Sequence, residues 1–243
     1  MIDLHCHLLP SVDDGAVHEL DTLNLLKIAI DDGISHMVLT PHVHPGRYEN
    51  TLASLRVPFQ KLQAKVNYLK LPISLSIAGE VRLCSEVLSL YASHNLPFLG
   101  RWHNKDVILL ELPHEGIPAG SEKLIDWLMD RDIIPMIAHP ERNKAIMQNI
   151  QKAAPFFERG CLFQLTAMSV TGKFGEQAHR IAQQFISNDW ASVIASDAHN
   201  TQHRPPILSE AFEYVSQHYS PQLAQRLMID TPLSIIEPDA KSI

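Results

Sequence analysis

The chain opens with the segment Met1-Ile2-Asp3-Leu4-His5-Cys6-His7, a short apolar strand that runs directly into two histidines. In an extended segment, side chains two residues apart lie on one face, so His5 and His7 can share a metal ion while Cys6 points the other way. The same spacing recurs where Asp197 and His199 follow an apolar run. A strand that ends in metal-binding side chains is therefore the unit from which the fold can be predicted.

Seven short apolar strands are predicted, and amphipathic helices separate them. The strands cover residues 2–5, 37–40, 75–79, 107–110, 136–138, 162–165 and 193–196. In the helix predicted within 17–32, Leu23, Leu26 and Ile30 lie on one face, and Gly33 marks the end. Strands that alternate with helices pair in parallel through right-handed crossovers. Seven such units in 243 residues predict one α/β domain, residues 1–243, built as a closed or nearly closed barrel with one unit fewer than the common eight.

An open, doubly wound parallel sheet is the alternative to a barrel. The chain contains neither a Gly-rich dinucleotide fingerprint nor a P-loop, the motifs with which such sheets bind nucleotides. The pattern therefore favours the barrel.

Ionisable side chains follow six of the seven predicted strands, each at the carboxyl end of its strand. In a parallel barrel these ends meet at one face, which carries the active site. A further carboxylate lies on the first loop, in Asp13-Asp14-Gly15, where Asp14 is preferred as a ligand and Asp13 is the alternative. The candidate metal ligands are therefore His5, His7, Asp14, His42, Glu80, Glu111, His139, Asp197 and His199.

Nine nitrogen and oxygen ligands are too many for one ion and predict a cluster of two or three divalent ions. Histidines and carboxylates without thiolates favour manganese, iron or zinc over magnesium or calcium. Paired ions activate water near neutral pH and bind a phosphoryl oxygen, which predicts metal-assisted hydrolysis of a phosphate ester. Arg142 is expected to bind the phosphate through its planar donor fork. The residues expected to be essential for catalysis are Arg142, His42 and His139, and Arg47 and Arg204 are further candidates for binding the substrate.

The composition argues against several other functions. A net charge of −7 and the lack of a Lys/Arg cluster argue against nucleic-acid binding. No apolar run approaches the roughly 18 residues of a membrane span, and the N-terminus lacks the basic and apolar regions of a signal peptide. Three widely spaced cysteines are typical of reduced thiols. We therefore expect a cytoplasmic protein with no nucleic-acid partner and no membrane insertion.

The spacing of the cysteines also argues against thiol-based phosphatase chemistry. Cysteine phosphatases use the motif Cys-x5-Arg, and no Arg lies six positions after any cysteine of this chain. The cysteines are Cys6, Cys84 and Cys161, and the residues six positions later are Val12, Leu90 and Ala167. We expect the three thiols to be small buried apolar side chains.

At these residues the sequence resembles the PHP (polymerase and histidinol phosphatase) superfamily, and in particular the manganese-dependent tyrosine-protein phosphatases of bacterial capsule and exopolysaccharide loci. The matching segments follow the family order over residues 1–199. They are Met1-Ile-Asp-Leu-His-Cys-His-Leu-Leu-Pro10, Val12-Asp-Asp-Gly-Ala16, Thr40-Pro-His42, Ala78-Gly-Glu80, Leu110-Glu-Leu-Pro113, Ala138-His-Pro-Glu-Arg142, Leu165-Thr166, Thr171-Gly-Lys-Phe-Gly175 and Ser196-Asp-Ala-His199. The loop after the second strand, His44 to Asn50, follows the family pattern only loosely.

The resemblance implies a distorted (β/α)7 TIM-like barrel with three divalent ions, usually manganese. It implies hydrolysis of phosphotyrosine on proteins, usually on the tail of a bacterial tyrosine autokinase that controls polysaccharide export. The implied ligand sets are His5, His7, Glu80 and Asp197 for the first ion, Glu80, Glu111 and His139 for the second, and Asp14, His42 and His199 for the third.

Two other functions stay open on the sequence alone. Another phosphoesterase of the superfamily, acting on histidinol phosphate or a nucleotide, would keep the metals and change the pocket. A non-catalytic module stabilised by metal is the second alternative, although such degenerate domains usually lose ligands and this chain has the full set. The loop 45–56 and the segment from Thr201 onward are expected to shape the rim of the pocket.

Overall fold

The computed structural model describes residues 1–237, in which parallel strands alternate with helices. The strands are β1 (Ile2–Cys6), β2 (His36–Leu39), β3 (His42–Val43), β4 (Ser74–Ile77), β5 (Glu80–Arg82), β6 (Gly100–Trp102), β7 (Lys105–Glu111), β8 (Ile133–Ala138), β9 (Leu162–Thr166) and β10 (Val193–Ala195). The α-helices are α1 (Glu19–Asp31), α2 (Leu52–Leu69), α3 (Val87–Ala92), α4 (Ser121–Met129), α5 (Lys144–Gln148), α6 (Ala154–Glu158), α7 (Ala167–Val170), α8 (Glu176–Ser187), α9 (Ser209–His218), α10 (Pro221–Gln225) and α11 (Thr231–Ile236). Short 3-10 turns cover Pro140–Arg142 and Ile150–Ala153, and a π-helical turn covers Arg226–Asp230.

The strands form a barrel of seven parallel paths, as the sequence predicted. Around the barrel the order is β1, β2 with β3, β4 with β5, then β7, β8, β9 and β10. The seam between β10 and β1 closes just beyond β10, where the amide of Asp197 donates to the carbonyl of His5 and that of His7 to the carbonyl of Ala198, both at 2.8 Å. All seven predicted strands are present.

The barrel is distorted where the second and third paths bend. Pro41, which has no N–H to donate, separates β2 from β3. Gly79 separates β4 from β5, and a Cβ there would lie 2.6 Å from the Pro97 side chain. Hydrogen bonds from Ala78 and Glu80 to β2 and Pro41 carry the pairing across both breaks. The third predicted strand, 75–79, is therefore shorter than expected, and Glu80 begins a strand of its own.

Besides β3 and β5, which continue the second and third paths, one strand outside the seven paths was not predicted from the sequence. Trp102 of β6 pairs with Lys105 of β7 in an antiparallel hairpin, and His103 and Asn104 form its two-residue loop. Both loop residues have positive φ, 48° and 65°, as the commonest two-residue hairpin turn requires. The hairpin lies at the amino end of β7, whereas the predicted site lies at the carboxyl ends of the strands.

The alternation of side chains along the strands sorts the core into an interior and an outer layer. On β7, Val107 and Leu109 belong to the apolar cluster inside the barrel, while Ile108 and Leu110 pack outward against the helices. Met136 and Val193 add to the interior from β8 and β10, and Ile235 of α11 packs against the same cluster. The interior is therefore a packed core, and the nine candidate ligands lie beyond it, towards the carboxyl ends of the strands.

Two further expectations concern the whole chain. In the part of the chain that the structure describes, no helix is long and apolar enough to cross a membrane. Cys6 and Cys161 are buried free thiols, and Cys84 is partly buried. The predicted domain boundary at 243 includes residues 238–243, which lie outside the described residues.

Candidate metal centre

All nine candidate ligands meet at the carboxyl ends of the barrel strands, as the strand-end pattern predicted. Glu111 and Asp197 continue the rows that face the barrel interior, directly beyond Leu109 and Ala195. The row that contains Ile137 faces outward, so His139 would follow it outward in a regular strand. Its left-handed backbone, with φ of 31°, breaks that alternation and turns the ring into the site. Non-glycine residues in this conformation are strained and cluster at functional sites.

Four side chains form the buried centre of the cluster. The Nε2 atoms of His5 and His7 lie 3.1 Å apart. Each lies 3.4 Å from Oε2 of Glu80, and they lie 3.3 and 3.4 Å from Oδ1 of Asp197. Neighbouring ligands of an ion with bonds of about 2.1 Å stand at this spacing. The four residues match the set that the resemblance implies for the first ion.

Buried hydrogen bonds hold the two imidazoles in this orientation. Nδ1 of His5 lies 2.7 Å from Oε1 of Gln164, and Nδ1 of His7 lies 2.7 Å from Oδ2 of Asp13. A partner on the second ring nitrogen is the usual arrangement for a histidine that binds metal through the first. Asp13 thus orients a histidine, while the neighbouring Asp14 reaches the cluster itself. The sequence had left these two carboxylates as alternatives.

His139 and Glu111 lie on the second side of Glu80. Nε2 of His139 lies 2.7 Å from Oε1 of Glu80. Glu111 groups with Glu80 and His42, their ligand atoms lying within 4.8 Å of one another. Arg82 forms an ion pair with Glu111 at 2.9 Å. Glu80 therefore lies between two groups of ligands, where a bridging carboxylate is expected.

Asp14, His42 and His199 form the outermost group. Oδ1 of Asp14 lies 3.3 Å from Nε2 of His42 and 3.6 Å from Nε2 of His199. The Nδ1 atom of His42 faces inward and lies 3.0 Å from Oε2 of Glu80. His7 joins this group as well, with its ring centroid 4.0 Å from that of His199.

The charges of the cluster depend strongly on one another. Burial opposes the negative charge of Glu80, but the positive charges of His5, His42 and His139 outweigh it and hold the pKa of Glu80 well below its usual range. Burial likewise opposes a charge on His42, yet Glu80 raises the pKa of His42 to about 9. The buried carboxylate thus attracts positive charge from several directions.

At the outer edge of the cluster the pKa of His199 is lowered, whereas that of His42 is raised. Burial and the neighbouring charge of His7 lower the pKa of His199 to about 4, so its imidazole is neutral at pH 7. A neutral imidazole is the form that binds metal. Asp197 keeps its charge because His5, Arg204 and Arg142 outweigh its burial and hold its pKa well below the usual range.

These residues fit a set of divalent ions. The fully buried Oε2 atom of Glu80 accepts no hydrogen bond within the described residues, although imidazole nitrogens surround it. A buried carboxylate oxygen without a donor is costly unless a cation contacts it. The donors are imidazoles and carboxylates, the set that manganese, iron and zinc accept. Each of the nine candidate ligands belongs to at least one compact group of potential ligands.

Two of the three predicted arginines reach the cluster. Arg142 and Arg204 both donate to Oδ2 of Asp197. Their guanidinium carbons lie 4.9 and 5.8 Å from the ring centroid of Phe174. Arg47 lies at the rim, with a side chain 62% exposed and a nitrogen 4.0 Å from Asp14. The structure therefore places Arg142 and Arg204 over the centre and leaves Arg47 at its edge.

A cleft of about 210 Å³ opens over the cluster, and its lining includes residues that were not predicted. Tyr48, Arg82 and the two histidines His44 and His114 lie in its wall. Tyr48, His44 and His114 come from loops, where no strand or helix period indicates side-chain direction, and Arg82 ends the short strand β5, which was not predicted as a strand. The loop 45–56 and the segment after Thr201 do contribute to the rim, through Tyr48 and Arg204.

The thiols lie outside this chemistry. Burial raises the pKa of Cys6 well above its usual range, and burial raises the pKa of Cys161 to about 12. The side chain of Cys6 donates to the carbonyl of Val38, away from the histidines on either side of it. Inert, buried thiols agree with the expectation from their spacing.

Comparison with known proteins places this chain in a family. The tyrosine-protein phosphatase YwqE of Bacillus subtilis is 32% identical over 93% of this chain and 88% of its own length. The tyrosine-protein phosphatase CpsB of Streptococcus pneumoniae is 26% identical over 97% of this chain and 98% of its own. A crystal structure from a study of YwqE and CpsB, described as unique metal-dependent tyrosine phosphatases, superimposes with a TM-score of 0.85, at 31% identity, over 92% of this chain and 90% of that one.

More distant structures share the fold alone. A β-aspartyl dipeptidase from Fervidobacterium islandicum superimposes with a TM-score of 0.56 at 13% identity, over 97% of this chain and 72% of its own. The family model described as capsular polysaccharide synthesis, CpsB/CapC, matches residues 1–237. This chain therefore belongs to the CpsB/CapC family of capsular polysaccharide synthesis proteins.

Proposed function

We propose that this chain is a metal-dependent protein-tyrosine phosphatase, an enzyme that hydrolyses a phosphoric monoester. The observation that carries the proposal is the buried Oε2 atom of Glu80, which accepts no hydrogen bond among the described residues and lies within a ring of imidazoles and carboxylates. Arg142 and Arg204 lie beside the same cluster, where their guanidinium groups would contact the phosphate of a substrate. The relatives named above, tyrosine phosphatases that include metal-dependent ones, support the substrate class.

We propose three divalent ions, manganese in the first instance, with iron or zinc as alternatives. His5, His7, Glu80 and Asp197 would hold the first ion. Glu80, Glu111 and His139 would hold the second, and Asp14, His42 and His199 the third. Bound ions of this kind supply an activated water near neutral pH and neutralise charge on the phosphoryl oxygens.

The side chains of the chain have separate roles in this proposal. Arg142 and Arg204 bind phosphoryl oxygens with their guanidinium groups, because both already donate to a carboxylate oxygen at the centre. His42 and His139 are essential because each faces Glu80 and each would bind an ion. Arg47 meets the substrate at the rim. The leaving tyrosinate has a reference pKa near ~10, so its departure needs little help from a general acid.

The family description supports a proposal for the biological role. We propose that the substrate is phosphotyrosine on a protein, in particular the tail of a bacterial tyrosine autokinase, and that its removal regulates capsule or exopolysaccharide synthesis. The family description, capsular polysaccharide synthesis, supports the process. We also propose that the enzyme acts as one domain in the cytoplasm, where free thiols such as its three cysteines persist.

A comparison of substrates tests the proposal. The full-length, manganese-loaded protein should hydrolyse a phosphotyrosyl peptide, and chelation with EDTA should abolish that activity. His139→Ala should reduce kcat/KM by about a thousandfold, in line with the loss of a group that acts on developing charge. His218→Ala is the matched control, since this histidine is exposed on α9 and should leave the rate unchanged.

Two results would contradict the proposal. If the protein hydrolysed histidinol phosphate or a nucleotide much faster than phosphotyrosine, the proposed substrate would be wrong and the proposed metal centre would be unaffected. A protein that binds manganese and hydrolyses none of these esters would instead be a metal-stabilised binding module.

A further inference from the structure

The cleft over the metal centre is almost entirely polar. Within residues 1–237, each of its lining side chains except Tyr48 belongs to His, Asp, Glu or Arg. A phosphotyrosyl group brings an apolar phenyl ring into this cleft together with its phosphate. The phosphate finds many charged partners there, whereas the carbon-rich surface available to the ring is that of Tyr48.

Tyr48 lies beside the atoms that would react. Its ring stacks on His42, with the ring centroids 5.4 Å apart and the planes inclined by 9°. The guanidinium carbon of Arg47 lies 5.0 Å from the Tyr48 ring centroid. Arg47 is 62% exposed and its nitrogen lies 4.0 Å from Asp14, so it stands loosely held beside the Tyr48 ring at the rim, where it would meet the substrate. A ring attached to a phosphate at the centre would therefore reach the ring of Tyr48.

Backbone hydrogen bonds fix the loop that carries Tyr48. The amide of His44 donates to the carbonyl of Tyr48 at 3.0 Å, and the amide of Tyr48 donates back at 2.7 Å. Gly46 provides the positive φ, 83°, of the turn between them. The Asn50 side chain donates to the carbonyls of Val12 and His42, at 2.9 and 2.8 Å, and ties the loop to the loop of Asp13 and Asp14. A side chain held in advance binds a ring with little loss of entropy.

We propose that Tyr48 determines the preference of this enzyme for aryl over alkyl phosphates, by contact with the phenyl ring of the substrate. The inference rests on the proposed phosphatase function and names the residue that selects its substrate class. Aromatic pairs gain most in edge-to-face or offset arrangements, and such a contact contributes roughly a two- to tenfold preference. The hydroxyl of Tyr48 has no part in the contact, so Phe can replace it.

Binding of two phosphonates tests the proposal without turnover. Phenylphosphonate carries the ring and methylphosphonate lacks it, and both present the same anionic group to the centre. Their Kd values would be measured by calorimetry on the manganese-loaded wild type, Tyr48→Phe, Tyr48→Ala and the control Tyr68→Ala, whose ring is 82% exposed on α2. Manganese content, measured in the same samples, shows whether the centre is intact.

The proposal predicts that wild type, Tyr48→Phe and Tyr68→Ala bind phenylphosphonate several times more tightly than methylphosphonate. Tyr48→Ala should lose this preference while its Kd for methylphosphonate stays within about twofold. Equal weakening of both ligands would overturn the proposal, because Tyr48 would then only support His42. A preference that survives in Tyr48→Ala, or that is absent from the wild type, would overturn it too. A preference that requires Tyr48, in a protein that fails to hydrolyse phosphotyrosine, would support this inference and refute the proposed reaction.

Discussion

Replacing Gly15 with alanine should damage the metal centre although Gly15 is not itself a ligand. A Cβ at this position would lie 1.9 Å from the carbonyl oxygen of His7 and 2.6 Å from its Cβ. An ordinary carbon–oxygen contact is about 3.2 Å or longer, so the two segments must separate by roughly 1 Å. The collision would push the segment that carries His7 away from the segment that carries Asp13, Asp14 and Gly15.

The size of the effect follows from these contacts. The amide of Gly15 donates to Oδ1 of Asp13 at 3.0 Å, and Oδ2 of Asp13 bonds to the His7 ring and to the amide of His42. A displacement of about 1 Å in a catalytic constellation costs on the order of a hundredfold in rate. We therefore expect Gly15→Ala to lower kcat/KM for a phosphotyrosyl peptide by about a hundredfold. Overpacking should also cost about 1 to 3 kcal/mol of stability.

The assay compares this variant with Gly116→Ala. No atom within 4 Å would meet a Cβ at Gly116, and its φ lies outside the left-handed region, so this control carries the same substitution without the collision. Rates are expressed per folded molecule, with the folded fraction taken from circular dichroism and the manganese content measured alongside. A Gly15→Ala protein with the manganese content and kcat/KM of the Gly116→Ala control would refute the reasoning.

Three further predictions concern the support of the site and the core. Gln164→Leu removes the acceptor for Nδ1 of His5 and should weaken manganese binding by 10- to 100-fold, measured by titration of free Mn²⁺; an unchanged Kd would contradict the role of Gln164. Arg142→Lys should lower kcat/KM by about a hundredfold without a change in melting temperature, because lysine lacks the planar fork; a rate within threefold of wild type would argue against phosphate binding by Arg142. Burial raises the pKa of Cys161 to about 12, so above about pH 9 the unfolded chain loses this proton while the folded chain keeps it, and stability falls as pH rises. Between pH 8 and 10.5 this thiol should cost the wild type roughly 2 kcal/mol of unfolding free energy that Cys161→Ala does not lose, measured by urea denaturation; identical pH slopes would contradict the prediction.

The parts of the fold that could be predicted are those governed by a regular period. Alternation along seven apolar strands indicated a parallel barrel, and parallel strands bring their carboxyl ends to one face. That rule predicted that Glu80, Glu111 and His139 would lie at the same face, although they come from distant parts of the chain. The spacing of His5 and His7 also predicted correctly that Cys6 would point away from the site.

The features that were missed depend on loop geometry and on partners far away in the sequence. Gln164 lies on the one predicted strand that ends without a His or a carboxylate, and a buried amide in an apolar strand was the signal that could have found it. Tyr48 lies in the cleft because of a local turn that carries no period, and Arg82 lies there on β5, a strand that begins only after the break at Gly79. Asp13 and Asp14 have different roles because the carboxylate of Asp13 contacts the His7 ring. The sequence cannot show which of two adjacent carboxylates makes such a contact.

The site also explains how an acidic chain can attract an anionic ester. The chain has a net charge of −7, and four of its carboxylates, on Asp14, Glu80, Glu111 and Asp197, belong to the candidate ligands. Divalent ions bound by these carboxylates would turn the floor of the cleft positive. Arg142 and Arg204 add two permanent positive charges at its wall.

Anomalous diffraction at the manganese absorption edge, from a crystal of the manganese-loaded protein, tests the central claim most directly. We predict three anomalous peaks at the carboxyl ends of the strands, each about 2.2 Å from its ligands. Glu80 should contact two of the three ions, and the outermost ion should contact Asp14, His42 and His199. A crystal soaked in manganese with no anomalous peak among these nine side chains would contradict the account.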